Sequence, residues 1–274
     1  MLSTSPAQQQ EAILELTEAT KMIVEGVNRI YPAFLDLTLQ VYPGERLGIF
    51  GVNSYEARAL VACLSGVETL DKGQLEQRGS VSWPLGSNDA FSAKLTGYVN
   101  ARFAAEVYSK PGCVADDVGL IQDLSGVNDE LFHQPLGDWP GPMRDALKLA
   151  VSLAFDFDVI TVGRISSGWN HRSVLPLSVR LRDCFERRIE GRTLLISANG
   201  QNDLALDYCD EGLAIVNGAL AYRGDPEVCL QLVKEESRQQ RMQRRERVDK
   251  RKAKLVAADA TDPDASDSED GGDF

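Results

Sequence analysis

The chain has 274 residues, 43% apolar and 26% charged, with a net charge near −12, which suffices for one full core and a small appendage. No run of about 18 apolar residues occurs, and Met1–Gln10 is polar, so neither a membrane-spanning helix nor a secretory leader is expected, and a cytoplasmic protein is. Cys63, Cys113, Cys184, Cys209 and Cys229 form no Cys-x-x-Cys pair, which argues against a zinc site and a secreted disulfide framework and reads as buried thiols.

In chain order, Leu35, Leu37, Leu39 and Val41 alternate with polar residues as one half of a hairpin, and Tyr42-Pro43-Gly44-Glu45 is a turn. Arg46–Gly51 is a short apolar strand ending in glycine, and Ala57, Leu60, Val61 and Leu64 then recur at helical spacing. Met143–Phe155 carries Leu147, Ala150, Val151 and Ala154 on one helical face, and Val159–Val162 reads as a strand buried on both sides. Leu175–Ile189 reads as a helix, Arg192–Ser197 as a second buried strand, and Leu213–Val216 with Ala219–Tyr222 as a closing hairpin through Asn217-Gly218. Strands separated by helices predict a mainly parallel sheet with antiparallel strands near its ends.

Charge is uneven along the chain. Residues 234–254 hold ten basic and four acidic side chains, net +6, and residues 256–274 hold seven acidic and no basic ones. These blocks nearly cancel, leaving an acidic body of about −11 over residues 1–233 that is poorly suited to bind nucleic acid through phosphates. The composition predicts a disordered acidic tail over 256–274. The basic stretch 233–255 has helix formers but no sustained heptad. It reads either as a solvated helix or as a stripe for anionic lipid or RNA that the neighbouring acids could screen.

A phosphate-binding loop needs glycines to curl around the phosphates, a lysine to neutralise them and a hydroxyl to hold magnesium. The loop after the first buried strand reads Gly51-Val52-Asn53-Ser54-Tyr55-Glu56-Ala57-Arg58. Glu56 stands in place of the second glycine, Ala57 of the lysine and Arg58 of the hydroxyl.

Two other stretches are more specific: Ser80-Val81-Ser82-Trp83-Pro84-Leu85-Gly86 with Leu95-Thr96-Gly97-Tyr98-Val99-Asn100, and Met143-Arg144 through Ser152-Leu153-Ala154-Phe155-Asp156-Phe157-Asp158. Through them the chain, over roughly 14–230, resembles the ATP-binding subunits of ABC transporters that export capsular polysaccharide and O-antigen. The resemblance implies an α/β, ABC-type P-loop ATPase-like domain over 12–232: a RecA-like, mainly parallel sheet, antiparallel strands and a helical subdomain near 85–150. A flexible N-terminus over 1–11 is expected to precede it. The resemblance also implies ATP and magnesium as cofactors, a membrane-spanning polysaccharide-export permease as partner, an intact ATP-binding paralogue or a second copy beside it, and a place on the cytoplasmic face of the inner membrane.

Carried over position by position, the family's catalytic groups are missing. The signature loop falls on Trp139-Pro140-Gly141-Pro142-Met143, where two prolines remove backbone donors. The two carboxylates at the end of the magnesium strand fall on Gly163 and Arg164, the D-loop aspartate on Asn170, and the switch histidine on Ala198, after a retained Ser197. The aromatic residue that stacks on adenine falls on Ile23. Gly51, Asn53, Ser54 and Arg58 are what remains to meet a phosphate, at a helix N-terminus that still offers amides, while Glu56 adds an opposing charge. Nucleotide binding is therefore expected to be weak or absent and hydrolysis negligible. Three functions follow: a catalytically silent ATP-binding-type subunit with a structural or regulatory role, a free-standing interaction module on the same fold, or an ATPase with relocated groups.

The remaining chemistry-bearing residues read as structural. His133 and His171 read as polar surface residues, since neither has a nucleophile partner at a recognisable spacing, and Ser166-Ser167-Gly168 does not match a nucleophile elbow. Asp116-Asp117 and the pair Asp156 and Asp158 read as solvated acids. Trp83, Trp139 and Trp169 are expected to fill space left by an absent nucleotide.

Overall fold

A computed structural model describes residues 11–25, 29–86, 91–165 and 169–259. The expectations for the N-terminus (apart from Glu11), for Ser166-Ser167-Gly168 and for the acidic tail beyond Asp259 lie outside the described residues. The chain divides into two units, Met1–Val233 and Lys234–Phe274.

In the first unit, β1 (Leu14–Glu25) pairs antiparallel with β2 (Arg29–Val41) and with β4 (Lys72–Gln77), in the order β2-β1-β4. The second sheet takes β3 (Arg46–Gly51), β5 (Val159–Val162), β6 (Thr193–Ser197), β7 (Glu211–Val216) and β8 (Ala219–Gly224), ordered β5-β6-β3-β7-β8. Its first four members are parallel and β8 closes antiparallel on β7.

The turn at 42–45 is thus not the tip of a hairpin, as its composition suggested, but the crossing between two sheets. The reason is burial. Leu47, Ile49 and Phe50 are all solvent-free, so β3 is apolar on both faces and takes the centre of the parallel sheet. In β2, Leu37, Leu39 and Val41 are buried while Thr38 and Gln40 are exposed, the pattern of a strand with one wet face. The alternation also changes phase: Phe34 is buried and Leu35 exposed, because Asp36 adopts φ 51° and the pairing with β1 shifts register there.

Helix α1 (Ser54–Leu64) and the three-stranded sheet cover one face of the parallel sheet, packing Leu60 and Leu64 against Leu47, Ile49, Leu195 and Ile215. The other face meets α5 (Gly141–Ala154), α6 (Pro176–Ile189) and α7 (Asn202–Tyr208) around Phe50, Val162, Leu194 and Phe185. Between β4 and β5 lie α2 (Gly97–Tyr108), α3 (Val114–Ser125), the short α4 (Asp129–Phe132) and α5.

The Leu-Thr-Gly-x-x-Asn stretch has a structural meaning there. Thr96 caps α2 by accepting the Val99 amide at 3.1 Å. A side chain at Gly97 would lie 2.3 Å from the Trp139 indole. Buried Asn100 donates to the carbonyls of Ser92 and Thr96 and accepts the Ser92 amide, fastening the segment before the helix.

The three tryptophans belong to the packing itself rather than to a vacated nucleotide space. Trp139 packs on Gly97 and Phe132, Trp169 on Phe185, and Trp83 among Tyr108, Phe155 and Phe157 while donating to Ser152 at 2.9 Å. Cys63, Cys184, Cys209 and Cys229 are buried as expected, but Cys113, just before α3, is only half-buried. The last helix, α8, spans Pro226–Asp259; Cys229 and Val233 on its first turns join the core of the first unit.

Candidate functional site

The carboxyl ends of β3, β5 and β6 and the start of α1 converge where a doubly wound sheet places a ligand. Here those positions are closed by the chain's own polar groups. Glu56 is buried, and its Oε2 accepts the Asn53 amide at 3.0 Å, the carboxylate half of a capping box. The carboxylate that the sequence places in this loop is thus buried and bonded to the loop's own backbone. Burial pushes the Glu56 carboxyl above its ordinary range, opposed by the Asn53 and Val52 amides.

The neighbouring loop amides are also engaged. Gly51 donates to Asn199 Oδ1 at 3.4 Å and Val52 to the Ile215 carbonyl at 3.3 Å. Asn199 Nδ2 returns a bond to the Asn53 carbonyl at 2.8 Å. Three successive N–H groups where the loop leaves β3, those of residues 51, 52 and 53, are thus bonded within the chain. A side chain at Gly51 would meet Glu56 Cβ at 2.8 Å, so the glycine serves this closure.

Around the loop, Ser54 is exposed, Ala57 is fully buried beneath α1, and Arg58 is exposed with no ion pair among the described residues. The site therefore brings Gly51 and Asn53 together with Glu56 and sends Arg58 outward. Ile23 lies on β1 opposite Tyr31, and Tyr31 stacks on Tyr55 with centroids 5.8 Å apart. This aromatic pair at the loop was missed in the sequence, because its members come from two separate elements.

At the end of β5, Gly163 is buried and Arg164 exposed. A Cβ at Gly163 would stand 2.9 Å from Pro84 Cβ, so the Trp-Pro stretch occupies the space into which a carboxylate would project. Gln201 donates through Nε2 to the carbonyls of Gly163 and of Ser197, the latter at 2.9 Å, and its Oε1 accepts the Ile165 amide at 3.2 Å. Ala198 is buried and stays in the ladder, its amide bonded to Ile49 at 2.8 Å. Asn199 and Gln201 thus follow Ala198, the position where the resemblance places the family's histidine. Their only sequence signal was two amide side chains directly after a buried parallel strand.

In the signature-loop positions, Pro140 caps α5, its carbonyl accepting the amides of Met143 and Arg144, and Gly141 and Pro142 form the first turn. Ala57, Arg58, Gly163 and Arg164 carry no side-chain oxygen, so these four positions do not fit a magnesium ion.

Other residues resolve as structural. His171 is not a surface group: its side chain is 12% exposed and its Nε2 lies 2.8 Å from Asp207, which Arg172 also clamps at 2.7 Å. His133 stacks on Tyr98 at 5.2 Å. Asp116 is exposed in the first turn of α3 beside Asp117, where the helix dipole favours acids. Asp156 and Asp158 are not free solvated acids. Asp158 accepts the Ser80 amide and hydroxyl, which hold its carboxyl below the usual range, and pairs with Arg192; Asp156 pairs with Lys110 and Arg188.

The chain is 27% identical over 186 residues to the capsule polysaccharide export ATP-binding protein CtrD of Neisseria meningitidis, covering 67% of this chain and 81% of that one. It is 27% identical over 201 residues to the ATP-binding protein BexA of Haemophilus influenzae, covering 73% and 88%. The polysialic acid transport ATP-binding protein KpsT of Escherichia coli is 23% identical over 205 residues, covering 75% and 88%. The chain is a homologue of capsule polysaccharide export ATP-binding proteins. No protein-family profile matches it.

The chain also shares its fold with solved ATP-binding cassettes. One is MJ0796 in a dimeric post-hydrolysis state bound to ADP and Pi, at TM-score 0.62 and 11% identity over 78% of this chain and 98% of that one. Another dimeric structure of MJ0796 aligns with TM-score 0.60. The fold is that of an ABC cassette. No described helix is long and apolar enough to cross a membrane.

Proposed function

We propose that this chain is the ATP-binding-type subunit of a polysaccharide-export ABC transporter that has lost hydrolysis and serves its assembly structurally or as a regulator. The observation that carries this reading is the internal closure of the phosphate loop: Glu56, Asn199 and the Ile215 carbonyl take the amides of residues 53, 51 and 52. Removing a single electrostatic stabiliser typically costs a factor of about 10²–10³ in rate. Here lysine, hydroxyl, both carboxylates and histidine are replaced by Ala57, Arg58, Gly163, Arg164 and Ala198. Such losses are not additive within one catalytic unit, but no remaining group substitutes for them. ATP and magnesium, implied by the kinship, therefore bind weakly or not at all.

The partner is a membrane-spanning permease, which places the chain peripherally on the cytoplasmic face of the inner membrane. An apolar stripe on α2 supports this: Val99, Phe103 and Val107, spaced four residues apart, are all exposed, Phe103 by 62%. Beside them a cavity of about 240 Å³ is lined by Trp83, Phe91, Phe103, Val107, Tyr108 and Val151. Exposed apolar surface of this kind marks an interaction site. Copurification tests the reading: the chain should come from membranes together with an exporter permease. A chain found only free of membranes would make it a free-standing interaction module.

A further inference from the structure

Within the second unit, Arg238, Arg241, Arg244, Arg245, Arg247 and Lys250 of α8 are all exposed, and none takes part in an ion pair among the described residues. Arg241 donates to Ser237 of its own helix, at 2.9 Å. Arg241 lies three or four residues from Arg238, Arg244 and Arg245, and Arg247 three from Arg244 and Lys250. Like charges at that spacing destabilise a helix. The stretch calls for an anionic counterpart.

Three occupants compete. Insertion into a membrane surface needs an apolar face beside the basic one, but over residues 237–250 the exposed large apolar side chains are Met242 and Val248, six positions apart and on different sides of the helix. A second copy would need heptads, which the sequence lacks. The third is the chain itself: Asp259, Asp262, Asp264, Asp267, Glu269, Asp270 and Asp273 follow with no basic residue among them. Their charge of −7 matches the +6 of residues 234–254. The fifteen residues after Asp259 can extend about 50 Å, whereas residues 234–254 occupy about 30 Å of helix. Tethering gives the acids an effective concentration of about millimolar or more.

We propose that the acidic segment 259–274 occupies the basic stretch of α8, as an internal polyanion that neutralises it and keeps outside anions away. This goes beyond the transport reading and does not depend on it.

The test compares the full chain with a full-length variant carrying Asp259→Asn, Asp262→Asn, Asp264→Asn, Asp267→Asn, Glu269→Gln, Asp270→Asn and Asp273→Asn. The probe is a fluorescein-labelled peptide with the native sequence of residues 259–274, followed by anisotropy. At about 20 mM salt the variant should bind the peptide at least about tenfold more tightly than the unaltered chain, and about 0.5 M salt should abolish binding. Equal binding by both chains, or binding by neither, overturns the proposal. So does a variant that ignores the peptide but binds phosphatidylserine vesicles or an RNA oligonucleotide, which would assign the stretch to that partner.

Discussion

The Glu56 carboxylate lies 3.0 Å from the backbone nitrogen of Asn53, three residues earlier in the loop that begins α1. A glycine there would leave that amide open to a phosphate, whereas a buried glutamate supplies the acceptor itself. Truncation to Glu56→Ala removes the bond and should lower stability by about 0.5–2 kcal/mol in urea unfolding, without creating ATP hydrolysis. A variant as stable as the unaltered chain would show that the carboxylate does not hold the loop.

The buried charge of Glu56 has its own pH signature. A carboxyl raised above its unfolded value of 4.5 contributes stability below that value and loses it as pH rises through the raised one. Glu56→Gln keeps an acceptor oxygen and removes the charge. Relative to the unaltered chain it should therefore gain stability as pH rises from below 4.5 towards neutrality. A difference that stays constant with pH would contradict the assignment.

Asp207 has the opposite sign. The Arg172 guanidinium, with help from His171 and against partial burial, holds its carboxyl at about 2. Its stabilising contribution is present above the ordinary value of 3.8 and lost as pH falls through about 2. Because the pair is open to solvent, Asp207→Asn should cost less than about 1 kcal/mol at neutral pH. Thermal unfolding should show that cost disappearing on acidification. A cost that persists at acid pH would mean packing, not charge, is what the carboxylate provides.

Restoring one family carboxylate should not restore chemistry. Gly163→Asp drives a Cβ to within 2.9 Å of Pro84, an overpacking that should cost about 1–3 kcal/mol and leave phosphate release at background. A stable, hydrolysing variant would show that the end of β5 is still a working metal site.

The apolar stripe on α2 is testable without disturbing the fold. Phe103 is mostly exposed, so Phe103→Glu should change stability by less than about 0.5 kcal/mol. It should nevertheless sharply reduce copurification with the permease. Unchanged copurification would place the partner elsewhere.

Much of the sheet was readable in the sequence because its strands are buried on both sides. Val159–Val162, Thr193–Ser197 and the β7–β8 hairpin stand out as apolar runs bounded by turns, and Ala57, Leu60 and Leu64 mark α1 by their spacing. Strand β1 was not visible: its wet face carries Glu15 and Thr17, and Glu18, at φ 48°, breaks the alternation. The sheet crossing at 42–45 was hidden because a turn sequence does not say which strand the next one pairs with. At the site, Ala57, Gly163 and Ala198 could be set against the family pattern position by position. The replacements could not, since Asn199 and Gln201 bond backbone atoms of Gly51 and Gly163 that lie far away in sequence. That the Glu56 carboxylate would bond the Asn53 amide could not be read from its position alone.

Whether ATP is hydrolysed is the most direct test of the account. Phosphate release from the purified chain with ATP and magnesium should equal the protein-free background. Calorimetry should show no heat of tight nucleotide binding to the chain alone. Magnesium-dependent release that scales with protein and disappears in Arg58→Ala would contradict the account and make the chain a working ATPase with relocated groups.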